Sequence, residues 1–239
     1  MRVLILSDIH GNIDALEAVD AATRTDRLDQ IWVLGDLVDY GAAPAEVISW
    51  VREHATLVVC GNHDHAVGTG EDCRSAPMYH DLAVATRAIF RSRLSMPELT
   101  YLVKLRLQVT VTVAPERRGL LVHASPQDPL FGYVPTDGPD DQWRHALLPA
   151  GDVSFVFVGH THDQFIRQID QITLINPGSV GLPKDGDPRA AYAIFEDGRV
   201  ELKRASYDTA RAASRIAALP LTADQRYRLV ELVRHAKLP

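Results

Sequence analysis

Asp8, His10, Asp36, Asn62, His123, His160 and His162 each follow a short apolar run, and each offers a carboxylate oxygen, an amide oxygen or an imidazole nitrogen. Donors of these kinds suit divalent manganese, iron, nickel or zinc. No sulfur accompanies them. Cys60 and Cys73 are the only cysteines and form no close pair, which argues against a closed thiolate zinc site. Seven such ligands, one of them shared, are about the number that two ions need with room left for water. Two ions ~3.5–4 Å apart can clamp the attacking and leaving oxygens of an in-line displacement and acidify the water between them.

Each cluster alone has a simpler explanation. An Asp after a strand, as in Asp8-Ile9-His10 or Gly35-Asp36-Leu37-Val38-Asp39, is commonly a turn residue or a helix cap. Gly61-Asn62-His63-Asp64 reads equally well as a turn, since Gly and Asn tolerate left-handed backbone. His160-Thr161-His162 is harder to explain by packing. What decides the matter is that five separate strand ends carry these groups. A buried polar group left unpaired costs about 1–3 kcal/mol, so a core does not collect them without a use.

The elements that would position these residues are legible from pattern. Short continuous runs rich in Val, Ile and Leu begin at Val3, Ile31, Leu57, Leu120 and Phe155, and read as strands covered on both faces. Helical patterns at 14–24 and at Pro44–His54 separate the first three, which implies a β-α-β-α-β order and a parallel sheet. Residues 64–77 hold Gly68, Gly70 and Pro77 without a clear period and read as a loop or lid, followed by a helix at 78–94. Residues 101–113 alternate apolar and polar and read as a half-buried strand, with a hairpin turn at 115–119. Strands at 172–175, 191–195 and 200–204 follow, the last two joined at Asp197-Gly198. Residues 209–219 and 223–236 read as terminal helices. The chain is expected to form one domain over 1–239, with a lid and helix at 64–95 and C-terminal helices at 208–239.

Bulk composition narrows the partners. The formal net charge is -6 and no basic run occurs, which counts against polymeric nucleic acid, whose binding rests on phosphate neutralisation by Lys and Arg. The N-terminal apolar segment is interrupted by Asp8 and is too short for a signal or a membrane span. Two cysteines suit a reduced compartment. A cytoplasmic protein is expected, with no membrane association.

Together the motifs resemble the calcineurin-like metallophosphoesterase superfamily. Its ordered signature is matched by Asp8-x-His10, Gly35-Asp36-x-x-Asp39, Gly61-Asn62-His63-Asp64, His123 and Gly159-His160-x-His162, with no departure. The surrounding text, including Val122-His123-Ala124-Ser125-Pro126 and the stretch from Asn176 to Gly181, is similar to the compact bacterial branch of YfcE-type phosphodiesterases. The resemblance implies an α/β fold, a four-layer α/β/β/α sandwich of two mixed sheets flanked by helices. It implies that Asp8, His10, Asp36 and His162 hold one ion. Asp36 bridges to a second, which also takes Asn62, His123 and His160. Two divalent transition-metal ions are expected, manganese first, with iron, nickel or zinc as alternatives. It implies that His63 faces the phosphate and leaving group rather than a metal, and that Asp39 orients it. The expected activity is hydrolysis of a small phosphodiester or phosphomonoester by water activated between the two ions. The alternatives are a catalytically silent scaffold of the same fold, or a protein or dinucleoside-polyphosphate phosphatase.

Other residues carry weaker signals. His65 sits beside the site, while His54, His80, His145 and His235 read as surface histidines. Phe131 and Tyr133 stand in a Pro- and Gly-rich loop, where packing is the commoner role and base stacking the alternative. Lys184, Asp185 and Arg189 read as exposed, and Asp64 as a cap.

Overall fold

The computed structural model describes residues 1–239. Its strands and helices alternate at first as β1 (Arg2–Leu6), α1 (Ile13–Thr23), β2 (Gln30–Val33), α2 (Pro44–His54) and β3 (Leu57–Val58). Three helices follow, α3 (Asn62–Thr69), α4 (Pro77–Arg93) and α5 (Met96–Lys104), then β4 (Gln108–Ala114) and β5 (Arg117–Val122). The second half holds α6 (Asp140–Leu147), β6 (Phe155–Phe157), β7 (Gln164–Ile169), β8 (Ile172–Pro177), β9 (Ala190–Glu196), β10 (Arg199–Ala205), α7 (Thr209–Ala217) and α8 (Ala223–His235).

Two five-stranded mixed sheets result, ordered β10-β9-β1-β2-β3 and β4-β5-β6-β8-β7. Strand periodicity explains their stacking, because successive side chains leave a strand on opposite faces. Val3 and Ile5 of β1 join Trp32, Phe155, Phe157 and Phe195 in the layer between the sheets. Leu4 and Leu6 instead join the largest core, with α1, α2, α7 and α8. On the second sheet, Leu121 points inward while Leu120 and Val122 meet Trp143 and Leu147 of α6. The order is therefore helices, sheet, sheet, helix, which is the expected four-layer sandwich. β9 and β10 turn at Asp197 (φ 50°) and Gly198 (φ 86°), the two left-handed residues of a type I′ hairpin.

Four segments differ from the sequence reading. Residues 64–69 are helical rather than loop, because Asp64, in the first turn of α3, accepts from the Gly61 amide at 3.0 Å and satisfies a donor at the helix start. Gly68 lies inside that helix for a packing reason: a Cβ there would meet Val103 Cγ2 of α5 at 2.8 Å. Residues 101–104 belong to α5 and not to a strand. Ser95 and Glu98 cap that helix, whose single fully buried residue, Leu102, gives it too little apolar face to read. The helix α6, under the second sheet, and β7, at that sheet's edge, had no counterpart in the periodicity.

Candidate metal centre

All seven candidate ligands, with His63 and Asp39, come together at one end of the two sheets. Asp8 and His10 follow β1, Asp36 and Asp39 follow β2, and Asn62 and His63 open α3 directly after β3. His123 follows β5, and His160 and His162 follow β6. The carboxyl ends of parallel strands are where open α/β sheets bind ligands. Here two sheets contribute to one cluster.

The loops are held by unusual backbone. Asp8, His10, Asp36, Asp39, Tyr40, His160 and His162 all have φ between 47° and 68°. Left-handed backbone is uncommon for residues with a side chain and concentrates at functional loops. Neighbouring loops also approach very closely. A Cβ on Gly159 would lie 1.9 Å from Ser7 Oγ and 2.7 Å from Asp8 Oδ2, and one on Gly61 would lie 2.0 Å from Asp36 Oδ1. These glycines let the carboxylates sit against another chain segment.

The polar groups are each held from behind. The His160 amide donates to Asp8 Oδ2 at 3.1 Å, and the His63 amide donates to Asp36 Oδ1 at 2.9 Å. The second oxygen of each carboxylate turns inward. Asp8 Oδ1 is buried without a hydrogen-bond partner, and Asp36 Oδ2 lies 3.3 Å from His123 Nε2 and 3.6 Å from His10 Nε2. Three imidazoles donate Nδ1–H to backbone carbonyls: His10 to Val38 at 2.9 Å, His123 to Leu34 at 2.7 Å and His162 to Leu182 at 2.5 Å. Their Nε2 atoms are left for the centre. Such carbonyl partners fix the tautomer of a ligating histidine. Asn62 donates Nδ2 to the Cys73 carbonyl at 2.7 Å, which turns its Oδ1 inward.

This leaves acceptors facing acceptors. His10 Nε2 and His162 Nε2 are 3.3 Å apart, and both rings spend their proton on a carbonyl. His123 Nε2 and His160 Nδ1 converge on Asn62 Oδ1, at 3.0 and 3.2 Å. Burial lowers the His10 and His160 pKa values to about 3 and holds His162 well below the ordinary range, so these rings present lone pairs. Burial raises Asp8 to about 6. Burial would lower His123 too, but the Asp36 charge and hydrogen bond lift it to about 9. Asp8, His10 and His162 form one buried group that could hold a metal ion, and Asp8, Asp36 and His123 form another. The donor set fits divalent cations of the transition series.

The neighbouring groups brace or line this cluster. His63 Nδ1 lies 2.8 Å from Asp39 Oδ2. Asp64 does more than cap α3: it accepts from the amides of Asp36 and Leu37, each at 2.8 Å, and so pins the loop after β2. Ser179 donates to the Asp8 carbonyl at 2.7 Å, which ties in the loop after β8. A cleft of about 430 Å³ opens over the cluster, lined by Asp36, Asn62, His63, His160 and His162 at its base and by Arg74, Tyr79, Phe131, Tyr133 and Lys184 around it. The segment between α3 and α4 and the loop after β5 both contribute. Arg74 lies over the Phe131 ring at 4.2 Å, and Tyr133 meets His160 edge-on at 5.9 Å. His65 points elsewhere and pairs with Glu71 at 3.2 Å.

Lys184 corrects the sequence reading. It is half-buried in the cleft wall rather than exposed, because Tyr79 of α4 folds over it, 4.5 Å from its ammonium. Only a tertiary contact with α4 hides it, so no local pattern marked it. Asp185 and Arg189 are exposed as expected.

A two-sheet sandwich with Asp, Asn and His gathered on its loops defines a class of metal-site proteins. Residues 1–198 match the calcineurin-like phosphoesterase superfamily domain, and the chain belongs to that superfamily. A metallophosphoesterase of Sphaerobacter thermophilus of known structure is 33% identical, with a TM-score of 0.76, over 96% of this chain and 98% of that one. An uncharacterised protein of Methanocaldococcus jannaschii is 32% identical over 233 residues, 90% of this chain and 91% of that one. The phosphodiesterase YfcE of Escherichia coli K12 is 26% identical over 208 residues, 82% of this chain and 88% of that one. No helix is long and apolar enough to cross a membrane.

Proposed function

We propose that this chain is a metal-dependent phosphoesterase that hydrolyses a small phosphodiester or phosphomonoester at a dinuclear centre, with manganese as the working metal. The observation that carries this reading is the set of buried acceptors facing one another. His10 Nε2 and His162 Nε2 stand 3.3 Å apart with both ring protons spent on carbonyls, beside the unpartnered Asp8 Oδ1, and repel unless a cation or proton lies between them.

In this reading Asp8, His10, Asp36 and His162 hold one ion, and Asp36, Asn62, His123 and His160 hold the other. The short approaches fall into the same two groups, with Asp36 Oδ2 near both His10 and His123. When bound, such ions supply positive charge against the phosphate oxygens and make water acidic near neutral pH. The protein's own groups do the rest. Backbone amides hold the outer carboxylate oxygens, so ligand positions do not depend on solvent. His63 carries a proton at the cleft base for the departing oxygen, with Asp39 fixing its ring. The retained His63–Asp39 pair, 2.8 Å apart, supports an enzyme over a silent scaffold.

The test is metal removal and return. Chelator-treated protein should lose hydrolysis of bis(p-nitrophenyl) phosphate, and added manganese should restore it, with about two ions per chain by elemental analysis. Failure to retain any transition metal after manganese loading would overturn the reading.

A further inference from the structure

Two cations, Arg74 and Lys184, line the cleft. Arg74 is exposed and lies on Phe131. Lys184 is held more tightly. It stands two residues beyond Leu182, whose carbonyl receives the His162 Nδ1 proton, so one short loop positions both an inner histidine and this ammonium. The carboxylates next to it in sequence are already engaged: Asp185 pairs with Arg204, and Asp187 with Arg189. Lys184 takes part in none of the molecule's ion pairs. The Tyr79 ring lies 4.5 Å from its ammonium.

A half-buried ammonium without a counter-ion is costly. Burial lowers the Lys184 pKa to about 8, against the opposing charges of Asp8, Asp36 and Asp163. It therefore remains mostly charged at neutral pH. Asp163 is partly satisfied by Thr136, whose hydroxyl donates to it at 2.8 Å. Once Asp8 and Asp36 are engaged by cations, little negative charge in the cleft answers Lys184. An anion arriving from solvent would.

We propose that Lys184 is a specificity-determining residue: it holds an anionic oxygen of the substrate and makes the cleft select esters by their negative charge. This rests on the phosphoesterase reading. The Tyr79 face keeps the ammonium aimed inward, as aromatic rings do for cations within about 6 Å. The ligand class follows from the chemistry. A phosphate ester with two negative charges, or with a further phosphate on its arm, is favoured over one whose charge is cancelled.

Three nitrophenyl esters make a ladder of charge: p-nitrophenyl phosphate, bis(p-nitrophenyl) phosphate and p-nitrophenyl phosphorylcholine, of net charge two minus, one minus and zero at neutral to mildly alkaline pH. On manganese-loaded protein, Lys184→Ala should lower kcat/KM roughly 10- to 100-fold on the dianion, the size expected for a bond to a charged group. The loss should be smaller on the monoanion and least on the choline ester, and should fall mainly on KM. Lys184→Arg should recover most of it, and Tyr79→Leu should give a weaker loss in the same order. Metal content should not change. Calorimetric titration with inorganic phosphate gives a second reading independent of turnover, in which Lys184→Ala should weaken binding by a similar factor. Equal losses on all three esters, or unchanged phosphate affinity, would overturn the role of Lys184, as would an arginine variant as damaged as the alanine one. If the unaltered protein cleaves none of the esters, the phosphoesterase reading fails. The phosphate titration then still decides whether Lys184 binds the anion.

Discussion

His63 hands its Nδ1 proton to Asp39, and Nε2 is the ring atom left for the cleft. Burial alone would lower its pKa, but Tyr40, the Asp36 charge and the Asp39 hydrogen bond hold it well above the ordinary histidine value. A protonated ring can give a proton to a departing alkoxide. His63→Ala should therefore keep the fold and the metals but lose roughly 10²–10⁴-fold in kcat, the usual size of general-acid help. The loss should be larger for an alkyl leaving group than for nitrophenolate, which barely needs protonation. Asp39→Asn should give a milder loss of the same form. Rates on two diesters with different leaving groups check this, and equal losses would exclude proton donation. Asp36 acts differently, because its inward oxygen lies near ligands of both groups. Asp36→Asn should cost at least one ion and nearly all activity, read by elemental analysis beside the assay.

At the scale of elements, the cleft walls come from the segment between α3 and α4 and from the loop after β5. Tyr133 is 63% exposed yet touches the His160 ring, so it can meet a substrate without serving the core. Tyr133→Ala should change KM and the preference among esters while leaving metal content unaltered. A changed metal content would make Tyr133 a support of His160 instead. The strands and their polar ends were readable because each buried run is continuous and stops at a chemically distinct cluster, as at Phe155–Phe157 before His160. Helices α3 and α5 were not, since Gly68 mimics a loop signal and α5 buries Leu102 alone. Nor did the sequence reveal the left-handed backbone at Asp8, His10, His160 and His162, since none of these is a glycine. The candidate ligands were legible as residue types. Their amide and carbonyl anchors, such as Leu182 for His162, were not, because backbone groups leave no mark in sequence.

The whole molecule should respond to metal as one body. The candidate ligands span residues 8 to 162 and both sheets, and α7 is fastened back to α1 by Arg211 and Arg215 on the buried Asp14, at 2.9 and 3.0 Å. We propose a single cooperative domain over the full chain. Anything that binds only the folded state stabilises it, by about 2.7 kcal/mol at a hundredfold excess over Kd. For a chain of this size that is on the order of 5–10 °C in Tm. Scanning calorimetry should give one transition that manganese raises, with a much smaller rise in Asp36→Asn. Two separable transitions, only one of them responsive, would show that the sheets unfold independently.

β1 lies between β2 and β9, and β9 begins only at Ala190. During synthesis the first sheet must wait for its central strand to gain its second neighbour. At translation rates of about 5–20 residues per second, the delay is on the order of 10–40 s. Asp8, His10, Asp36 and Asn62 emerge early, while His160 and His162 arrive about a hundred residues later. On the proposed assignment, a chain that has grown past Asn62 carries three of the first ion's four ligands and two of the second's, and neither set is complete before His160 and His162 have joined it. Metal selection would then be deferred to the nearly finished protein, where the geometry of the completed ligand set, rather than the first ion encountered, decides which metal is kept.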